Sequence, residues 1–172
     1  MEAVSYSAVE SLRQGRRVEI RALRPDDRPD FLAAVDRTSR RSLYRRFFSV
    51  RQDFAEQEVD FFLNVDFVNH VALVAIIEEA GQPVIVGAGR YIVVEPGRAE
   101  VAFAVVDAYQ GQGIGAALLR HLTVIARDAG LKELVADVLP ENLPMLKVFE
   151  KSGLDVHTQR EPRVVQVTLR LT

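Results

Sequence analysis

Three glycines within five residues, Gly111, Gly113 and Gly115, mark the part of this chain best suited to chemistry, in the run Tyr109-Gln110-Gly111-Gln112-Gly113-Ile114-Gly115-Ala116. Glycine lets main-chain amides approach a ligand where a side chain would obstruct. The run follows an apolar stretch ending at Val106 and opens a helical pattern: Ile114, Leu118, Leu119, Leu122, Ile125 and Ala126. Amides at a helix start lie at the positive end of the helix dipole, which favours an anion such as a pyrophosphate. Gly111, Gly113 and Ala116 fit the dinucleotide pattern G-x-G-x-x-A, with Asp137 about twenty residues on, where a ribose-binding acid would stand. That pattern belongs in the first βαβ unit of a parallel sheet, whereas here a meander precedes it and only 56 residues follow Ala116. A tight turn with no ligand is the plain alternative, for which one or two glycines would normally suffice.

The surrounding elements must position that turn. Residues 17–23 (RVEIRAL) alternate like a strand. Pro25, Asp26 and Asp27 signal a helix start ahead of Phe31, Leu32 and Val35, with Asp as the cap. Further helical patches cover Arg40 to Phe48 and Phe54 to Leu63. From His70 come three Val/Ile-rich runs, HVALVAII, VIVGAGRYIVV and EVAFAVV, separated by Ala80-Gly81-Gln82-Pro83 and Glu95-Pro96-Gly97-Arg98; these read as an antiparallel meander. After the long helix come a strand (Leu134 to Leu139), a helix (Asn142 to Ser152) stopped by Gly153, and two strands (Leu154 to Gln159, Val164 to Leu171). The order β, helices, βββ, α, β, α, ββ predicts an α+β domain, a mixed sheet with helices packed on it. Residues 1–16 read as a loosely attached amphipathic arm before a single domain over 17–172.

Composition excludes several classes. The chain has 172 residues, 48% apolar and 27% charged, with net charge −2, as expected of one globular domain. Its longest uncharged stretch, Ala108 to Leu119, is twelve residues, against about 18 apolar ones for a membrane span. The first ten residues include Glu2 and Glu10 and no apolar block, so no secretory signal is expected and the cytoplasm is the expected location. With no cysteine, disulfides, thiolate metal sites and thiol nucleophiles are ruled out, and His70, His121 and His157 match no metal spacing. No metal is assigned. Residues 1–51 hold twelve Arg, no Lys and seven acids. The acids are mixed among the arginines without the stacking aromatics or module that nucleic acid requires, so no nucleic-acid partner is expected. Monomer and dimer both stay open.

The turn also fits Gln/Arg-x-x-Gly-x-Gly/Ala through Gln110, Gly113 and Gly115, and with this the chain resembles the GNAT superfamily of N-acetyltransferases. Residues 142–154 (NLPMLKVFEKSGL) resemble that family's closing helix, with Asn142, Phe149 and Gly153 at the family spacing. The resemblance runs from about residue 17 to the end. It implies the acyl-CoA N-acyltransferase fold, a mostly antiparallel sheet of about seven strands with helices on both faces. It also implies acetyl-CoA as co-substrate, with its pyrophosphate held at Gly111, Gln112, Gly113, Ile114, Gly115 and Ala116. The fold would splay a strand open so that Ala104, Val105 and Val106 bind pantetheine and polarise the thioester carbonyl, with Asn142 and Phe149 near the pantetheine. Asn142 is equally a plain helix N-cap by its residue type.

The resemblance implies that an amine attacks the thioester directly. A lysine-type amine with a pKa near 10.4 is mostly protonated at neutral pH, so a base must take its proton. Glu100 is the candidate. Alternation sets Glu100, Ala102, Ala104 and Val106 on one face of the strand, a short distance from the splay, where partial burial would raise a carboxyl. The alternative is an exposed strand-end Glu paired with Arg98 or Arg90. Many relatives have a tyrosine where this chain has Phe149, which cannot protonate the departing thiolate. Water, Tyr109 or no acid at all would serve instead. Ser39 to Phe48 (SRRSLYRRFF), after ALRPDD, looks like bacterial protein-lysine acetyltransferases, whose targets include acyl-CoA synthetases. A protein substrate presenting lysine is therefore expected. A small-molecule amine and a non-catalytic acetyl-CoA sensor are the alternatives.

Overall fold

The computed structural model describes residues 2–38 and 63–171. Its strands are β1 (Ser7–Ser11), β2 (Arg17–Ala22), β3 (His70–Glu79), β4 (Gln82–Glu95), β5 (Arg98–Val105), β6 (Glu133–Val138), β7 (Asp155–Arg160) and β8 (Val165–Arg170). Its α-helices are α1 (Arg28–Asp36), α2 (Ile114–Asp128) and α3 (Leu143–Glu150), with one-turn 3-10 segments at Pro25–Asp27 and Asp107–Tyr109. The helical patches expected over 40–48 and 54–63 lie outside the described residues, apart from Leu63, which is helical and buried. None of the described helices is long and apolar enough to cross a membrane.

The strands form one mixed sheet, ordered β1-β2-β3-β4-β5-β6-β8-β7. Each described neighbour pair is antiparallel except β5 and β6, which α2 connects. Parallel neighbours need such a crossover, since a tight turn can only reverse the chain. The meander from β3 to β5 appears as expected, because positive-φ residues Ala80, Gly81 and Gly97 close its two turns.

A helix packs on each face. Val71, Leu73, Val86, Val101 and Phe103 join the core under α2, which contributes Ile114, Leu118, Leu119, Leu122 and Ala126. Gly87 and Gly89 let α2 lie close to β4. A Cβ on Gly87 would stand 3.1 Å from Ile114 Cγ2, and one on Gly89 would stand 3.1 Å from Leu122 Cδ1 and 3.2 Å from Phe103 Cβ. On the other face Leu23, Leu63, Ala72, Val74, Ile76 and Ile85 form a second cluster, against which Phe31 and Ala34 of α1 pack.

Two expectations change. Asp27 does not cap α1 with its side chain. Its carboxylate instead takes a two-pronged bond from Arg21, 2.8 Å on each prong, and a 2.7 Å bond from the Arg24 amide. Burial alone would raise this carboxyl, but the Arg21 and Arg24 bonds hold it below the usual carboxylate range. The N-terminal segment is not a loose arm either: β1 pairs with β2 along its whole length, from Ser7↔Arg21 to Ser11↔Arg17, and makes the sheet eight-stranded. Its side chains reach α2, where the Tyr6 hydroxyl meets His121 Nδ1 at 2.5 Å and Glu10 meets His121 Nε2 at 2.6 Å while also pairing with Arg120.

Candidate active site

The turn after β5 is built as its glycines demand. Gly111 and Gly113 take φ of 79° and 92°, a left-handed conformation that costs any L side chain strain. Gly113 is the residue before α2, and its carbonyl accepts the Ala117 amide at 3.0 Å. The amides of Ile114, Gly115 and Ala116 therefore have no partner within the helix, as at every helix start. The Ile114 side chain is buried, so it anchors the turn from below while the amides stay on the outer side. Gln110 donates through Nε2 to the Val105 carbonyl at 3.0 Å, tying the turn to the end of β5.

These amides open onto a cavity of about 460 Å³ between the turn, the end of β5 and α3. Its wall includes Ala104, Val105, Gly111, Gly113, Ile114, Gly115, Ala116 and Asn142, and adds Phe103, Tyr109 and four cations, Arg13, Arg120, Lys147 and Lys151. Among the described residues, no Asp or Glu lines it. Gln112, Val106 and Phe149 stand outside the wall. Asp137 is exposed on β6 opposite Gln166, away from the turn, so the dinucleotide arrangement is not built here.

The sheet register decides which β5 amides can serve a ligand. The Val106 amide donates to the Val86 carbonyl at 2.8 Å, and in the same register Ala88 faces Ala104 while Gly89 faces Phe103. Bonded and non-bonded pairs alternate along an antiparallel ladder. Ala104 and Ala102 thus spend their amides on β4, while Val101, Phe103 and Val105 turn theirs toward β6. Yet β5 pairs with β6 only at Arg98↔Glu133, Ala99↔Leu134 and Glu100↔Val135. Beyond Glu100 the strands part, and the Phe103 and Val105 amides face the gap. Of the three residues expected there, Ala104, Val105 and Val106, only Val105 aims its amide at the opening, and Phe103 joins it unanticipated.

Glu100 occupies the last paired rung before the gap, on the face opposite α2. It is exposed, so the partial burial expected from the sequence is absent; its rung lies close to the β4–β5 turn, where solvent reaches the sheet. Arg90 shares that face one rung on, opposite Ala102. Burial draws the Arg90 guanidinium down to about 10, and the Glu100 charge works against that fall.

Asn142 is buried and caps α3, its Oδ1 accepting the Met145 amide at 3.3 Å, while facing the cavity. Phe149 is buried, its ring centre 5.7 Å from that of Phe103. It stiffens the wall from behind. Tyr109 packs beside the turn with its hydroxyl donating to the Glu79 carboxylate and its ring under the guanidinium groups of Arg16 and Arg37, at 5.2 and 5.8 Å. Arg37 also forks onto Glu79 at 3.2 and 2.8 Å, and these bonds, with that of Tyr109, hold the Glu79 carboxyl below its ordinary range. No three His, Asp or Glu side chains among the described residues are grouped to hold a metal.

This arrangement offers helix-start amides at the turn, a cavity with cations in its wall and β5 amides at the gap, a set suited to a ligand with a diphosphate at one end and an acyl oxygen at the other. Comparison with known proteins agrees. The pattern of the acetyltransferase (GNAT) family matches residues 37–154. The chain is 35% identical over 127 residues to acetyltransferase PA5475 of Pseudomonas aeruginosa, covering 73% of this chain and 68% of that protein. It is 36% identical over 146 residues to acetyltransferase Pat of Mycolicibacterium smegmatis, covering 83% of this chain but only 42% of that longer protein. The crystal structure of the GNAT domain of S. lividans PAT superposes with a TM-score of 0.86 at 32% identity, covering 95% of this chain and 96% of that one. The family uses acetyl-CoA. From its turn, its parted strands and these likenesses, the chain belongs to the GNAT family of acetyltransferases and is an N-acetyltransferase.

Proposed function

We propose that this enzyme transfers the acetyl group of acetyl-CoA to the side-chain amine of a lysine in a protein, such as an acyl-CoA synthetase, with Glu100 as the general base. The observation that carries the reading is the parting of β5 from β6 immediately after the Glu100↔Val135 rung. Acetyl-CoA supplies the activated acyl group from the α2 side. The Phe103 and Val105 amides face the gap and receive the charge that develops on the acyl oxygen. Glu100, on the opposite face, meets the incoming amine and takes its proton, directly or through one water. The C–N bond forms first, moving the carbonyl electrons onto that oxygen; when the tetrahedral intermediate collapses the C=O bond returns, the C–S bond breaks, and the thiolate leaves into the cavity.

A thiolate is a good leaving group, so no protein acid is required there. Phe149 has no proton to give, and the Tyr109 hydroxyl is already committed to Glu79. The protein acceptor is supported by the likeness to proteins named Pat and PAT, one of which is more than twice as long as the matched segment. An exposed base also suits an acceptor that brings its own covering surface. Residence in the cytoplasm belongs to the same proposal.

The test is Glu100→Gln with a lysine-bearing protein acceptor, followed by mass spectrometry of acetylated lysines and by CoA release. Turnover is expected to fall at least about tenfold, with acetyl-CoA affinity within about twofold of the parent. An unchanged rate removes Glu100 from the chemistry. CoA release with small amines but none with protein lysine shifts the acceptor to a small molecule, and tight binding without any release makes the chain a sensor.

A further inference from the structure

Coenzyme A presents more charge than its diphosphate. It also carries a 3′-phosphomonoester, near −2 at neutral pH because the second ionisation of such a group lies near 6. The amides of the glycine turn account for the diphosphate alone. Among the described residues, the cavity wall nevertheless gathers Arg13, Arg120, Lys147 and Lys151 and no acid, in a chain whose net charge is −2. Such a concentration of cations lowers the free energy of a bound polyanion. Arg13, Lys147 and Lys151 make no ion pair among the described residues.

The four cations come from two sides. Lys147 and Lys151 stand on α3 and its C-terminal edge. Arg13 stands in the turn between β1 and β2, and Arg120 follows Ala116 by four residues, about 6 Å further along the α2 axis from the amide turn. The hairpin turn is fixed, with Leu12 buried in the core and its amide bonded to the Arg16 carbonyl at 2.7 Å. Arg120 is fixed by Glu10, and Glu10 by His121, which also holds Tyr6. Four residues of one small network thus clamp the N-terminal hairpin on α2 and bring two guanidinium groups to the same side of the cavity.

Resting on the acetyl-CoA reading, we infer that Arg13 of the N-terminal hairpin and Arg120 of α2 form a subsite for the 3′-phosphate of coenzyme A. Guanidinium groups suit this task because their planar fork bonds two phosphate oxygens at once. The hairpin is then a part of the cofactor site, and the enzyme distinguishes coenzyme A from the same molecule lacking that phosphate.

The experiment is isothermal titration of the purified chain, and of its Arg13→Ala and Lys151→Ala variants, with CoA and with dephospho-CoA. Arg13 is exposed, so its loss leaves the fold intact, which a thermal melt verifies. The parent is expected to prefer CoA by about tenfold or more, a preference that Arg13→Ala cuts by about tenfold while dephospho-CoA affinity stays within about twofold. Raising salt weakens CoA more than dephospho-CoA. The inference is overturned if the parent binds the two ligands equally, if Arg13→Ala weakens both alike, or if only Lys151→Ala abolishes the preference. A parent that binds neither ligand overturns the acetyl-CoA reading itself.

Discussion

Gly113→Ala separates the two things the glycine turn does, folding and ligand binding. A Cβ at Gly113 meets nothing within 4 Å, so the substitution creates no overlap and its cost is conformational. At φ of 92°, holding alanine costs about 1–2 kcal/mol, which for a domain of this size lowers Tm by about 2–8 °C. The turn relieves part of that strain by moving toward a right-handed conformation, which swings the amides of Ile114 and Gly115 away from a diphosphate. Losing one charge-assisted bond there costs about 1.5–3 kcal/mol, or about 10- to 100-fold in affinity. Gly130 is the matched control: its φ is 82°, a Cβ there also meets nothing within 4 Å, and it lies past the far end of α2. Thermal melts and CoA titrations of both variants are expected to give similar Tm losses and a Kd increase for Gly113→Ala alone. Equal Kd for the two variants, or a parental Kd for Gly113→Ala, would refute the assignment of these amides to the diphosphate.

Two other substitutions probe the scaffold. Asp27→Asn leaves Arg21 buried without its countercharge, since the two side chains are only 7% and 12% exposed; a loss of about 3 kcal/mol is expected, read as a lower Tm. Because the Asp27 carboxyl titrates below its unfolded value, its contribution is present above the unfolded pKa and fades as pH falls through the folded one. The parent therefore loses its advantage over Asp27→Asn on acidification below about pH 4, and a constant gap at lower pH contradicts the assignment. Tyr109→Phe removes the bond to Glu79 and loosens the turn slightly, yet kcat is expected to stay within about threefold, whereas a fall of tenfold or more would make Tyr109 the acid for the thiolate.

Much of this architecture is legible in the sequence because it depends on local constraints. Gly97 and Gly81 take the positive φ that closes the meander, and Gly111 and Gly113 take the positive φ that turns the chain into α2. The strand β1 is not legible. Its residues, SAVES, turn the apolar Val9 outward and half-bury the charged Glu10, an alternation against the hydrophobic pattern that arises only from pairing with β2 and packing on α2. Asp27 reads as a helix cap because Asp before a helix usually is one, but Arg21 on the neighbouring strand outcompetes the helix amides for its oxygens. Side-chain alternation correctly puts Glu100 and Ala102 on one face of β5, yet it says nothing about which edge an amide faces. That depends on register, which the Val106 to Val86 bond fixes beside the irregularity where Ala75 pairs with Gly87 but Ile76 pairs with Ile85. Hence the sequence offers Ala104 and Val106 as candidates and hides Phe103. Arg13 was equally hidden, since only the folded hairpin carries it to the cavity.

The most direct test is a crystal structure of the chain with acetyl-CoA. The diphosphate should accept bonds from the amides of residues 113–116, and the thioester oxygen should lie about 2.7–3.1 Å from the Phe103 or Val105 nitrogen, with the acyl carbon opening toward Glu100. Acetyl-CoA bound elsewhere, or bound here with its thioester carbon shielded by the sheet from the Glu100 face, would contradict it.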